Sequence, residues 1–207
     1  MKIRLYLCLM MLMVLCFNGK AAQADYLSTF DSSGESWRIT AGCDSFGFDD
    51  SRGNPPGSIS YVDQTGGGDK YFVSPLGWGG DWSAYKNGTL QYDIKFLSGS
   101  GVFKVLADVV IRSSGDYLSQ QFITTQPSDW THYTVSLTAA AFGVSEKYFD
   151  SIMAQVDSVD IRGEFLVGPE SGALDNVRLT AVPIPGSLFL LACGLPAIIA
   201  LRSKFGR

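Results

Sequence analysis

The chain has 207 residues, 46% of them hydrophobic and 17% charged, too apolar a balance for a disordered or fibrous protein. Its 23 glycines and 13% aromatic content favour a turn-rich all-β body over a helical bundle. Residues 25–180 hold all 20 acidic residues and ten of the 16 basic ones, a net of −10, so this body repels phosphate backbones and nucleic acid is not an expected partner.

In chain order, Lys2 and Arg4 precede an apolar run from Leu5 to Phe17 that closes on Ala22-Gln23-Ala24. This is the layout of a secretory signal over residues 1–24, with Ala22 and Ala24 forming the cleavage site and the mature chain beginning at Asp25. Cys16 lacks the small preceding residue that lipid modification requires, since Leu15 stands there. Strands are expected near 36–41, 58–63 and 70–74. Leu90, Tyr92, Ile94 and Phe96 alternate with Thr89, Gln91, Asp93 and Lys95, as a strand with one buried and one wet face requires. Phe103, Val105, Ala107, Val109 and Ile111 repeat the pattern after Gly99 and Gly101, which predicts a long hairpin. Further strands are expected near 117–123, at Tyr133–Leu137, at Val159–Ile161 and at 174–181, with one short helix between Glu146 and Gln155. Such spacing predicts a β-sandwich or jelly roll over residues 25–180. Cys43 is the one cysteine left in this body, so no internal disulfide supports it.

Residues 181–207 form a third segment. Leu179 to Leu201 carries no charge, and Arg202, Lys204 and Arg207 follow. The strictly apolar part from Gly186 to Leu201 would rise about 24 Å as a helix, just short of the hydrocarbon core of about 30 Å, which makes a plausible but thin transmembrane span with its basic end in the cytoplasm and the body outside. A buried C-terminal core helix is the other reading. Val182-Pro183-Ile184-Pro185, then the apolar segment, then Arg202 and Lys204, resembles the PEP-CTERM sorting signal of exported Gram-negative proteins, although Ile184 stands where that class usually has Glu. The resemblance implies recognition by an exosortase-type transpeptidase, a transient stay in the inner membrane, and transfer to the cell surface or extracellular polysaccharide matrix.

The body has a resemblance of its own. Gly53-Asn54-Pro55-Pro56-Gly57-Ser58-Ile59-Ser60, Lys70 to Pro75, Gly80 to Leu90 and the closing Leu174-Asp175-Asn176-Val177-Arg178-Leu179 together resemble the laminin IV type A (laminin B) domain. This implies a galactose-binding-domain-like jelly roll with an adhesive or matrix role and no catalytic site.

Among candidate site residues, His132 is the single histidine and falls on the strand face opposite Tyr133 and Val135, a solvated position. One histidine and one thiol cannot close a tetrahedral zinc site, and no Gly-x-Ser-x-Gly elbow accompanies His132. Trp78, Trp82 and Tyr85 sit in the Gly-rich stretch Gly77–Gly88 with Asp81 and Asn87 beside them. Aromatic faces of this kind stack on sugar rings while the polar groups bond hydroxyls; the same rings also serve as lids on a core, the reading favoured for Trp82. Asp175 shares parity with Val177 and Leu179, so without a bulge it points at the core, where a carboxylate needs a cation or N–H donors. With Asp31 it makes a candidate Ca²⁺ site, against a simple turn cap. Asp44, Asp49 and Asp50 lack EF-hand spacing and read as a solvated loop. These features favour a non-catalytic adhesion or polysaccharide-binding module. A carbohydrate-active enzyme and a purely structural surface protein are the alternatives.

Overall fold

The computed structural model describes residues 26–182 except Ala41 and Gly66. In chain order its strands are β1 Tyr26–Ser28, β2 Arg38–Ile39, β3 Ser45–Gly53, β4 Pro56–Asp63, β5 Tyr71–Val73, β6 Thr89–Gly99 and β7 Val102–Phe103. There follow β8 Val109–Ser113, β9 Asp116–Gln120, β10 Thr131–Ser136, helix α1 Glu146–Met153, β11 Ser158–Arg162, β12 Leu166–Val167 and β13 Glu170–Thr180. The larger sheet has the order β10-β6-β13-β4-β3 with β1 also on β13; the smaller has the order β2-β5-β11-β8-β9; β12 and β7 form a separate ribbon. All named pairings are antiparallel.

The body is therefore all-β, and period two governs it. Leu90, Tyr92 and Ile94 of β6 are fully buried, as are Val109 and Ile111 of β8 and Val159 and Ile161 of β11, so each strand turns one stripe inward. Asp25–Val182 is one compact unit, and the apolar core cluster is drawn from residues 30 to 179. The helix is amphipathic for the same reason: Phe149, Ile152 and Met153 are buried. Ser145 caps its first turn by accepting from the Tyr148 N–H, and Glu146 faces the positive helix start, both stabilising contributions.

Two expectations fail here. The long hairpin does not form: β6 lies in the larger sheet and β8 in the smaller, while Val102–Phe103 pairs with β12. Glycines at 99 and 101, both with positive φ, turn the chain out of the larger sheet rather than back along it. The acidic stretch after Asp44 is not a loop but the edge strand β3, which pairs with β4 from Ser45 to Asp49 and again at Gly53.

Charge is also buried in the core. Arg162 and Asp108 form an ion pair at 3.0 Å with both side chains fully buried. The guanidinium lies between the rings of Phe103 and Phe165, at 4.9 and 4.8 Å from their centroids. Asp108 in turn accepts from the Ile123 N–H at 2.7 Å, so the buried charges are satisfied on both sides. Among the described residues no helix is long and apolar enough to cross a membrane. The signal over residues 1–24, including Ala22 and Ala24, and the tail with Pro183, Pro185, Arg202 and Lys204 lie outside the described residues; Val182 is described and half exposed.

Candidate functional site

The aromatic residues of the Gly-rich stretch do not face solvent. Trp78, Trp82 and Tyr85 are buried: Tyr26 of β1 packs on all three, with ring centroids at 5.4, 6.3 and 5.7 Å, and Trp37 meets Trp78 edge-on at 5.3 Å. The Trp82 indole N–H donates to the Trp78 carbonyl at 2.7 Å, so its polar group is satisfied internally as burial requires. Asp81 and Asn87 are exposed, but Asp81 accepts from the Ser83 N–H and Asn87 occupies the left-handed turn position at φ 65°. The sugar-stacking expectation for these rings is corrected: their faces are spent on the core.

Asp175 also departs from expectation, because a bulge intervenes. Asp175 stands opposite Asp93 on β6, yet Arg178 stands opposite Gln91, leaving one extra residue in β13; Asn176 absorbs it at φ 51°. Leu174 therefore faces the core, Asp175 faces away from it, and Val177 and Leu179 face inward again. Asp175 is nonetheless fully buried, because the loop between β3 and β4 covers it. Its carboxylate accepts from the Asn54 N–H at 2.6 Å and the Asn176 N–H at 2.7 Å. Burial, opposed by these two bonds and reinforced by the nearby Asp93 and Asp31 charges, pushes its pKa up to about 6. Asp31, for its part, accepts from the Thr29 hydroxyl. With both Asp175 oxygens engaged by N–H donors, and no group of three or more His, Cys, Asp or Glu placed to hold a metal among the described residues, the donor set does not fit Ca²⁺.

What the bulge creates instead is a row of polar groups on the outward face of the larger sheet. The register sets His132 opposite Asp93 and Asp93 opposite Asp175. His132 Nδ1 lies 2.7 Å from Asp93 Oδ1, which fixes the ring proton at Nδ1 and turns Nε2 outward. The other Asp93 oxygen accepts from the Asn176 amide at 2.9 Å and the Asn54 amide at 3.4 Å. Asp93 is nearly buried while the His132 side chain is 57% exposed, so a rigid carboxylate orients a solvent-facing imidazole. Trp130, two residues before His132, is half-buried and is the tryptophan that stays out of the core cluster.

Beside this ridge the sheet face is paved with small residues. Gly47, Ser60 and Ala173 follow one another across β3, β4 and β13. A shallow depression of about 350 Å³ lies along β3, lined by Ser45, Gly47, Asp49 and Ser60 among others. A second of about 320 Å³ adjoins it, lined by Val62, Gln64, Ser98 and Pro169 among others; the two meet where Ser45 pairs with Val62. Hydroxyls along β3 and, at the opposite edge of the same face, an oriented imidazole can bond a hydroxyl-rich chain laid across the sheet. His132 was legible in the sequence as a solvated strand residue. Asp93 is not legible as its partner, nor are Asn54 and Asn176 as partners of Asp93, because each pair lies 39 to 83 residues apart along the chain.

A model of the laminin B (domain IV) family matches residues 71–187, more than half of the chain. The chain belongs to the laminin B (domain IV) family. The L4b domain of human laminin alpha-2 is similar in fold, with a TM-score of 0.59 and 11% identity over 78% of this chain and 98% of that one. The family 30 carbohydrate-binding module of the Clostridium thermocellum cellulase Cel9D-Cel44B is similar at a TM-score of 0.51 and 19% identity, over 78% of this chain and 99% of that module. The C-terminal family 22 carbohydrate-binding module of C. thermocellum Xyn10B gives 0.51 and 10% over 81% and 98%. At these identities the likeness establishes the β-sandwich of this laminin B family member and no more. No curated protein sequence matches the chain.

Proposed function

We propose that this laminin B family member is an exported, non-catalytic adhesion or matrix module that holds polysaccharide on the outward face of its larger sheet. The observation that carries the reading is the Asp93–His132 ridge: a nearly buried carboxylate, braced by two asparagine amides, presents His132 on the same sheet face as the shallow depression along β3. Neutral hydroxyl-rich chains suit such a face, because fixed donors and acceptors select their orientation without a charge to desolvate. The fold it shares with a laminin domain and with carbohydrate-binding modules supports binding over catalysis by analogy. On this reading the first 24 residues direct export. The Val182-to-Lys204 tail then serves as a PEP-CTERM signal, held briefly in the inner membrane of a Gram-negative cell, cut by an exosortase-type transpeptidase, and so delivered to the surface or matrix.

Glycan arrays probed with residues 25–182 test the binding reading. Retention of a polysaccharide, weakened about tenfold by His132→Ala as the loss of one oriented hydrogen bond implies, supports it. Retention of none leaves a structural surface protein. Mass spectrometry of the protein from envelope and medium tests the sorting reading: a C-terminus near Pro185 supports it, and an intact tail in the cytosol removes it.

A further inference from the structure

The end strands of the two larger sheets are not protected alike. β3 carries Asp49, Asp50 and Arg52 and breaks register between Asp49 and Gly53; β9 opens on Asp116, and β2 has two residues. Charges, irregularities and shortness are the devices that keep edges from pairing with other chains. β10, the other edge of the larger sheet, has none of them. Thr131–Ser136 contains no charged residue, no proline and no glycine, pairs with β6 through six unbroken registers, and is rich in β-branched and aromatic residues, which favour strands. No second strand covers its free side among the described residues.

We propose that β10 is the pairing edge for a second copy of this chain. An antiparallel pair with its two-fold axis at Thr134 sets Thr134 opposite Thr134, Tyr133 opposite Val135, and His132 opposite Ser136. Thr–Thr and aromatic–β-branched pairs are among the stabilising cross-strand combinations, and no like charges meet. Directly opposed residues share a face, so the two larger sheets become one continuous sheet whose outward faces lie on the same side. The net of −10 on each body opposes approach at long range, whereas the edge itself is neutral, so added salt strengthens the dimer by screening. This pairing stands whether or not the outward face binds polysaccharide.

The core lies entirely within the compact unit Asp25–Val182, so residues 25–182 serve as the test protein. Sedimentation equilibrium at several hundred micromolar, where interfaces of modest size form, is expected to show a monomer–dimer equilibrium that tightens with salt. Thr134→Lys sets two ammonium groups face to face and is expected to weaken self-association at least tenfold; the Thr134 side chain is exposed, and circular dichroism verifies folding. Thr134→Cys in a Cys43→Ser background is expected to form a disulfide-linked dimer under oxidation, and Ser51→Cys on β3 to stay monomeric. A monomer at every concentration without cross-linking, a dimer indifferent to Thr134→Lys, or equal cross-linking from Ser51→Cys would overturn the proposal.

Discussion

Asp175 and Asp93 stand directly opposite each other on adjacent strands, and two asparagines hold the pair together. Asn176 gives its N–H to Asp175 and its side-chain amide to Asp93; Asn54 does the same from the loop between β3 and β4. The clasp joins the loop after β3 to the bulge of β13.

That arrangement sets a pH dependence. Asp175 titrates at about 6 in the fold against an ordinary value of 3.8, so the folded state favours its protonated form. The resulting stability is fully present below the ordinary value and is lost as pH rises through about 6, at most about 3 kcal/mol in total. Glu170, raised chiefly by burial, adds in the same sense. Urea denaturation between pH 4 and 8 is expected to show this decline, and Asp175→Asn is expected to flatten it.

Thermal midpoints with and without chelator are expected to coincide, because backbone N–H groups rather than a metal satisfy the Asp175 carboxylate. A fall in midpoint with chelator and its recovery on adding Ca²⁺ would contradict this reading of the clasp.

Trp82→Ala is expected to cost about 3–5 kcal/mol, the range for deleting a large buried aromatic, since the ring is fully buried against Tyr26 and Tyr85. Trp130→Ala should cost little stability, because that ring is outside the core cluster. Chemical denaturation of both variants separates core from surface.

Asp108→Ala is expected to cost about 3–5 kcal/mol by leaving the Arg162 guanidinium buried without its carboxylate. Combining it with Arg162→Met should cost less than the two single changes added together, the mark of a coupled pair.

Alternation made much of the fold legible: Leu90, Tyr92 and Ile94 are as buried as their spacing requires. What escaped depended on single residues that break a period. Asn176, in a left-handed conformation that asparagine tolerates, inverts the parity on which the reading of Asp175 rested. Asp49 and Asp50 resemble a loop because they belong to a strand that is wet at a sheet edge. The rings of Trp78, Trp82 and Tyr85 offered two readings, and only the approach of Tyr26, more than fifty residues earlier in the chain, decides between them.

β13 touches β6, β4 and β1, and it is the last strand of the body. The centre of the larger sheet is thus the last part of it to leave the ribosome. Until residues 170–180 emerge, the strands that flank them have no common neighbour, and the larger sheet cannot close.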